Sequence, residues 1–105
     1  MITIEILEAF GDNYIYLVEY EAGLCFAVDP GDAKPVQAVL SQRNIRLTHI
    51  FTTHHHHDHV GGIGTLKAAS GCAVIGADAR RIPGIDRAVG DGDLIEAGGL
   101  SIRCV

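Results

Sequence analysis

The sequence has 105 residues, of which 48% are hydrophobic and 20% charged, and it carries a net charge of −5 at pH 7. This length is that of one modest domain, taken as residues 1–105, and the apolar content excludes intrinsic disorder. The acidic balance without a basic stripe disfavours a nucleic-acid partner. No apolar run approaches the ~20 residues of a membrane-spanning helix. Met1 is not followed by the basic segment and then the apolar segment of a signal peptide. We therefore expect a cytoplasmic protein that does not bind a membrane.

The first third of the chain predicts three strands. Apolar residues alternate over Ile2 to Leu7, which predicts a strand with at least one buried face. Aromatic and β-branched residues at 14–20 predict a second strand, and residues 24–28 a third that closes a hairpin. The breaker-rich sequence DPGD at 29–32 ends that strand.

The rest of the chain predicts helices alternating with strands. Asp32 is well placed to cap a helix that has Pro35 in its first turn. The glycine-, proline- and aspartate-rich stretch 76–92 predicts a loop that contains at most one helical turn. Further predicted elements are a strand at Arg46–Thr52, a helix whose apolar residues step from Val60 to Ala69 and which stops at Ser70-Gly71, a strand at Cys72–Ile75, and a final hairpin of residues 94–96 and 100–105. The order βββαβαβ, with one further strand, indicates an α/β fold in which two helices pack on a mixed sheet.

The run TTHHHHDHVGG at residues 52–62 contains five of the six histidines. Its internal position and the interruption at Asp58 exclude a purification tag. Alternate residues of an extended segment point the same way, so His54 and His56 can reach one metal ion together. Asp58 and His59 fall where the next helix begins and can approach from another direction, toward a second metal ion. Imidazole and carboxylate groups are ligands that Zn²⁺, Fe²⁺ and Mn²⁺ accept.

The remaining residues of this run have other expected roles. His55 and His57 point to the opposite side and are expected to be spacers. Gly61 and Gly62 have no side chains, which leaves room for close approach of a metal ion, water or substrate. The alternative for the whole run is a solvated polar loop with incidental histidines. Outside the run, His49 is expected to be a structural histidine of the core.

The three cysteines, Cys25, Cys72 and Cys104, are odd in number and far apart. This pattern fits reduced thiols of a cytosolic protein better than a disulfide framework. Each cysteine lies in or beside an apolar stretch, so we expect small buried core residues.

The spacing His54-x-His56-x-Asp58-His59 resembles the HxHxDH signature of the metallo-β-lactamase superfamily. Within that superfamily, a larger set of stretches resembles glyoxalase II, the hydroxyacylglutathione hydrolases, and covers essentially the whole chain. These stretches are NYIYLVE (13–19), VDPGDA (28–33), LTHIFTTHHHHDHVGG (47–62), RIPGID (81–86) and VGDGD (89–93). The resemblance implies an αββα sandwich, of which this chain forms the N-terminal half.

The resemblance also implies a dinuclear metal site, most often zinc and sometimes iron or manganese. His54 and His56 would bind the first metal, and Asp58 and His59 the second. The implied reaction is hydrolysis of S-(2-hydroxyacyl)glutathione thioesters, such as S-D-lactoylglutathione, by a metal-activated hydroxide that Asp58 helps to orient. Asp29 matches a strand-end aspartate that orients the ligands without binding the metal. The alternative for Asp29 is a turn residue at the helix entry.

The sequence departs from the family in having no histidine after His59. The family has a further histidine, a bridging aspartate and a last histidine beyond the HxHxDH signature. We therefore expect the 105 residues to hold the first part of the metal site, to bind metal weakly and to be inactive alone. We also expect an uncovered apolar sheet face that favours self-association.

Two other functional classes stay open at this point. One is another hydrolase of the superfamily, such as a β-lactamase, lactonase, persulfide dioxygenase or RNA-processing nuclease. The acidic balance disfavours the nuclease, and the lack of a leader disfavours a periplasmic lactamase. The other class is a non-catalytic metal-binding fragment that self-associates.

Overall fold

The computed structural model describes residues 2–9, 13–52, 62–76, 85–88, 94–97 and 100–103. Six strands form one sheet in the order β1 to β6, and two more form a separate antiparallel pair. The strands are β1 Thr3–Ala9, β2 Asn13–Glu21, β3 Leu24–Val28, β4 Arg46–Phe51, β5 Ala73–Gly76, β6 Arg87–Ala88, β7 Leu94–Ala97 and β8 Leu100–Arg103. The helices of these ranges are α1 Ala33–Arg43 and α2 Ile63–Ser70, and neither is long and apolar enough to cross a membrane.

The large sheet is mixed, as predicted. Strands β1, β2 and β3 pair antiparallel, whereas β3, β4, β5 and β6 pair parallel. Parallel neighbours need a crossover connection, and α1 and α2 supply it between β3 and β4 and between β4 and β5. The predicted α/β fold with two helices on a mixed sheet is therefore confirmed.

The prediction of a loop throughout residues 76–92 is wrong at β6, which adds a short parallel strand beside β5. Asp86, the residue immediately before β6, holds this strand in place. Its carboxylate accepts hydrogen bonds from the Val74 N–H at 2.7 Å and from the Lys67 ammonium at 2.8 Å. Both partners are distant in sequence, and a two-residue strand has no periodicity, so no local pattern indicated it.

Helix α1 begins and ends as its sequence predicts. The Asp32 carboxylate accepts a hydrogen bond from the Lys34 N–H at 3.1 Å, which confirms Asp32 as the N-cap. At the other end, Asn44 adopts a left-handed conformation with φ 52°, and its N–H donates to the Leu40 carbonyl. The apolar residues Ala33, Val36 and Val39 are buried against the sheet.

Helix α2 ends at the predicted glycine. Gly71 has φ 70°, and its N–H donates to the Lys67 carbonyl at 2.8 Å. The described part of this helix begins at Ile63, and Val60, where the predicted helix began, lies outside the described residues. Ile63 and Leu66 are buried.

The core lies between the two helices and one face of the sheet. Its buried members are Ile15, Leu17, Cys25, Ala27, Ala33, Val36, Val39, Leu47, Ile50, Ile63, Leu66, Cys72 and Val74. Full burial of an isoleucine or leucine side chain contributes roughly 1.5–3 kcal/mol. The prediction of buried, unpaired cysteines is confirmed for Cys25 and Cys72, while Cys104 lies outside the described residues.

On the opposite face of the sheet, β1 and the first half of β2 carry exposed apolar residues, whereas Val18 of β2 is buried on the same face. Of the residues in the predicted first strand, Leu7 packs against the core, whereas Ile2, Ile4 and Ile6 are exposed. The buried face predicted for this strand is therefore the one that carries Leu7. The helices lie on that side, which leaves the isoleucines without cover from them.

Candidate metal centre

The strands β3, β4 and β5 run parallel, so their carboxyl ends lie at one edge of the sheet. Val28 pairs with Phe51, and Phe51 pairs with Ile75, which aligns the three ends. The segments that follow β3 and β4 are the Asp29 turn and the histidine run. Open α/β sheets bind ligands outside the carboxyl ends of their strands. The topology therefore brings the two sequence-predicted site regions to the edge where a site is expected.

Asp29 is buried directly after β3, and its backbone adopts φ 53°. A left-handed conformation costs a residue other than glycine roughly 1–2 kcal/mol, although aspartate tolerates it better than most. Two hydrogen bonds hold it: the Asp29 N–H donates to the Phe51 carbonyl at 2.9 Å, and the Asp29 carbonyl accepts from the Gly31 N–H at 2.8 Å. Backbone strain of this kind clusters at functional sites.

The histidine run leaves the sheet at Thr52, a buried polar residue that the sequence reasoning did not single out. The Thr52 N–H donates to the Ile75 carbonyl at 2.9 Å, and the Thr52 hydroxyl lies 3.4 Å from the same oxygen. These bonds fix the start of the run against β5. In the sequence, the feature that could have identified Thr52 is its position as a threonine at the end of an apolar strand.

The last residue of the run, Gly62, is again among the described residues. Its N–H donates to the Pro30 carbonyl at 2.9 Å. The expectation that Gly62 leaves room for a metal ion, water or substrate is wrong. A Cβ on Gly62 would lie 2.6 Å from the Pro30 carbonyl oxygen, 2.7 Å from the Ala33 nitrogen and 2.9 Å from the Asp32 carbonyl carbon. The space beside this glycine is occupied by the backbone of the Asp29–Ala33 turn.

The predicted ligands His54, His56, Asp58 and His59, and the spacers His55 and His57, lie outside the described residues. Within the part of the chain that is described, no three histidine, cysteine, aspartate or glutamate side chains are grouped to hold a metal ion. The donor set of imidazole nitrogens and a carboxylate suits Zn²⁺, Fe²⁺ or Mn²⁺. Both ends of the run meet the turn that carries Asp29, so the surrounding frame fits a metal site built on this run.

Two other groups with metal-binding chemistry are held in structural roles. Burial raises the pKa of the Cys25 thiol to about 12, with a further contribution from the Glu19 carboxylate against the opposing Arg43 charge. Cys25 is also fully buried in the core between the helices and the sheet, which is the position of a structural thiol. Asp86 is exposed, and its hydrogen bonds with Lys67 and the Val74 N–H lower the pKa of its carboxyl.

His49 lies in β4, three residues before the histidine run begins at Thr52. Its Nδ1 is 2.8 Å from the Thr48 hydroxyl, and its ring stacks on Phe51 with centroids 6.0 Å apart. Burial lowers the pKa of its imidazole. His49 therefore has the hydrogen-bond partner expected of a structural histidine, although it is half-buried and lies outside the helix-side core.

A family model described as the metallo-beta-lactamase superfamily matches residues 9–99. The hydroxyacylglutathione hydrolase of Rhodospirillum rubrum is 46% identical over 110 residues, which cover 100% of this chain and 43% of that protein. The hydroxyacylglutathione hydrolase of Methylococcus capsulatus is 50% identical over 106 residues, which cover 98% of this chain and 40% of that protein. This chain therefore spans about two fifths of the length of the curated relatives that it matches.

The fold is also found among solved structures. The crystal structure of ETHE1 from Myxococcus xanthus aligns with a TM-score of 0.78 at 24% identity, covering 96% of this chain and 46% of that chain. At this identity the likeness concerns the fold alone. It confirms the predicted architecture of the 105 residues as part of a larger α/β fold.

Proposed function

Because this chain belongs to the metallo-β-lactamase superfamily, we propose that it is the metal-binding N-terminal part of a hydroxyacylglutathione hydrolase. The proposed reaction is hydrolysis of S-(2-hydroxyacyl)glutathione thioesters, such as S-D-lactoylglutathione, to glutathione and D-lactate. The observation that carries this proposal is an identity of 46–50% with enzymes of that name over 98–100% of the chain. The HxHxDH spacing within the matched region supports it chemically.

The proposed ligands of two divalent metal ions are the imidazoles of His54, His56 and His59 and the carboxylate of Asp58. Zinc is the metal that best suits this nitrogen and oxygen set, with iron and manganese as alternatives. When bound, such ions supply positive charge and a water of lowered pKa. Asp58 orients that water, and Asp29, buried beside the start and end of the run, orients the ligands.

The number of donors limits what these 105 residues do alone. Four proposed ligands for two metal ions leave about two for each, whereas a catalytic zinc ion usually has three protein ligands. We therefore expect weak or incomplete metal occupancy and no thioester hydrolysis by the isolated 105-residue chain. Full activity of this chain with no added polypeptide would contradict the proposed incompleteness of the site.

Metal analysis with a matched pair of variants tests the ligand assignment. His56→Gln removes a proposed ligand, whereas His55→Gln removes a proposed spacer next to it. We expect zinc binding, measured by competition with a chromogenic chelator, to weaken strongly in His56→Gln and to stay near that of the unchanged chain in His55→Gln. Equal binding by both variants, or a loss confined to His55→Gln, would contradict the assignment.

A chimera tests the proposed substrate class. In it, the part of the Rhodospirillum rubrum relative that lies beyond the matched region follows residue 105. We expect the chimera to release glutathione from S-D-lactoylglutathione and to leave β-lactams and phosphodiesters unchanged. Preference for a β-lactam or a phosphodiester would overturn the proposed substrate.

We also propose that the 105-residue chain associates with a second copy of itself through an open face formed by Ile4, Ile6, Tyr14 and Tyr16. These side chains lie on the face of β1 and β2 opposite the helices, since Ile4 pairs with Val18 and Ile6 with Tyr16. All four are exposed. Contiguous exposed apolar surface of this kind marks an interaction site, and a second copy presents the same apolar chemistry.

A further inference from the structure

The Asp29–Ala33 turn contacts both ends of the histidine run. The Asp29 N–H donates to the carbonyl of Phe51, the last residue of β4, at 2.9 Å. On the other side, the carbonyl of Pro30 accepts the N–H of Gly62 at 2.9 Å. Two consecutive residues of this turn therefore hold the residue just before the histidine run and the last residue of the run.

The contact at Gly62 has no space for a side chain. The three atoms that a Cβ would meet, at 2.6 to 2.9 Å, all belong to the backbone of the turn. One of them is the nitrogen of Ala33, the first residue of α1, and Ala33 is itself buried in the core. Because Ala33 is packed in the core, we expect a side chain at position 62 to displace the end of the run rather than the turn.

We propose that Gly62 is a positioning residue of the metal site, and that its close contact with Pro30 sets the separation between the two ends of the histidine run. The inference rests on the proposed metal-binding function. The run between Thr52 and Gly62 has nine residues, 53–61. With both of its ends fixed before metal binds, the entropy lost on coordination is smaller than for a run with one free end.

A second glycine near the start of α2 provides a matched control. Gly64 lies two residues further along, is exposed, and would place a Cβ within 4 Å of no atom outside its own neighbourhood. Gly62→Ala and Gly64→Ala therefore add the same methyl group to the same end of α2. Only the first methyl group meets the Asp29–Ala33 turn.

The test measures zinc affinity by chelator competition, the absorption spectrum of the Co²⁺ form and the free energy of unfolding for each variant of the 105-residue chain. We expect Gly62→Ala to weaken zinc binding by at least roughly tenfold, the lower end of what loss of a ligand-orienting residue causes. The Co²⁺ spectrum should change in this variant, because the donors are displaced. Gly64→Ala should keep the zinc affinity and the Co²⁺ spectrum of the unchanged chain.

The outcomes separate this inference from the proposed function. Absence of zinc binding by the unchanged chain would refute the metal-binding function itself. Zinc binding by the unchanged chain, with equal affinity and an equal Co²⁺ spectrum in Gly62→Ala, would refute only the positioning role. A parallel loss in Gly64→Ala would refute it as well, because that methyl group does not reach the turn.

Amide hydrogen exchange on the metal-free chain keeps the inference testable if Gly62→Ala does not fold. The proposed contact exists before metal binds, so the Gly62 N–H should exchange slowly without zinc, as a hydrogen-bonded amide does. Exchange of this amide at the rate of an unstructured peptide in the metal-free chain would overturn the proposal. Slow exchange with and without zinc supports it.

Discussion

The two faces of the six-stranded sheet carry similar residues but differ in what covers them. On the helix side, the row Leu17, Ala27, Ile50 and Val74 crosses four strands, and all of these side chains are 0% exposed. On the other side, the neighbouring row begins with Ile6 and Tyr16, which are 61% and 43% exposed, and ends at Ile75, which is 4% exposed. Both rows are apolar, so composition does not explain why Ile6 and Tyr16 are exposed.

The position of the helices explains the burial of the first row. The core residues that α1 and α2 contribute lie on one side of the sheet only. They include Val36, Ile63 and Leu66. Successive residues of a strand point to opposite faces, so β1 and β2 supply the covered core with Leu7, Ile15 and Leu17 and the open face with the residues between them. An apolar side chain stabilises the fold only to the extent that folding removes it from water.

The largest expected difference between the faces is in stability. Ile15 and Ile6 lie on neighbouring strands, the first 0% and the second 61% exposed. Ile15→Ala should lower the free energy of unfolding by about 2–5 kcal/mol, because it leaves a cavity in a packed core. Ile6→Ala should change it by no more than about 0.5 kcal/mol, as exposed substitutions usually do. Urea unfolding of both variants at low protein concentration measures the difference, and equal losses would show that the open face is covered in the folded chain.

The second expected difference is in self-association. Ile6→Lys places a charge on the open face, whereas Leu94→Lys places one at a similarly exposed leucine, 55% accessible, on the separate β7–β8 sheet. If a second copy buries Ile6, its loss should weaken association by roughly tenfold or more, from the ~1.5–3 kcal/mol of a buried isoleucine. Sedimentation velocity over a concentration series should shift toward the monomer for Ile6→Lys alone. A monomeric unchanged chain, or equal shifts in both variants, would contradict the proposed use of this face.

The sequence predicted those features that depend on neighbouring residues. Asp32 caps α1 through the amide two residues on, and Gly71 ends α2 through a carbonyl four residues before it. The alternation in β1 and the aromatic and β-branched residues of β2 likewise identified both strands. Such signals are local, so one sequence is sufficient to interpret them.

Features that depend on distant contacts were not predicted. Gly62 was assigned to close approach of a ligand, but its neighbour is the Pro30 carbonyl, 32 positions earlier in the sequence. The strand β6 depends on Asp86, which meets Val74 and Lys67 only in the folded chain. The choice of the covered face of β1 depends on where α1 and α2 pack. In each case, the sequence specified the residue type, and the fold decided which partner it met.

A hydrogen-bond network on the side of the sheet away from the helices provides the smallest expected difference. His49 lies there in one row with Ile4, Val18 and Phe26. The Thr48 hydroxyl has one proton, which it donates to the Cys25 carbonyl at 3.0 Å. Its two lone pairs therefore accept from the Tyr20 hydroxyl and from the Nδ1–H of His49, each at 2.8 Å. This assignment leaves Nε2 as the nitrogen of His49 that takes up a proton.

The pH dependence of stability tests this assignment. Burial lowers the pKa of folded His49 below its ordinary value of 6.5, so above pH 6.5 both folded and unfolded chains hold it neutral. As the pH falls through 6.5, the unfolded chain binds a proton at this site and the folded chain does not. The free energy of unfolding therefore falls, by at most about 1.4 kcal/mol per pH unit, until the pH reaches the lowered pKa of the folded chain.

His49→Asn is the matched variant, because its amide nitrogen can still donate to Thr48 but does not titrate. Loss of the ring contacts with Tyr20 and Phe51 lowers stability equally at every pH and cancels in the comparison. The other histidines are the same in both proteins, so their contribution cancels too. We expect the stability of the unchanged chain to fall relative to His49→Asn below pH 6.5, measured by urea unfolding across the pH range. Parallel curves would mean that His49 is as accessible to protons in the folded chain as in the unfolded one, and that this side of the sheet is open at β4 as well as at β1 and β2.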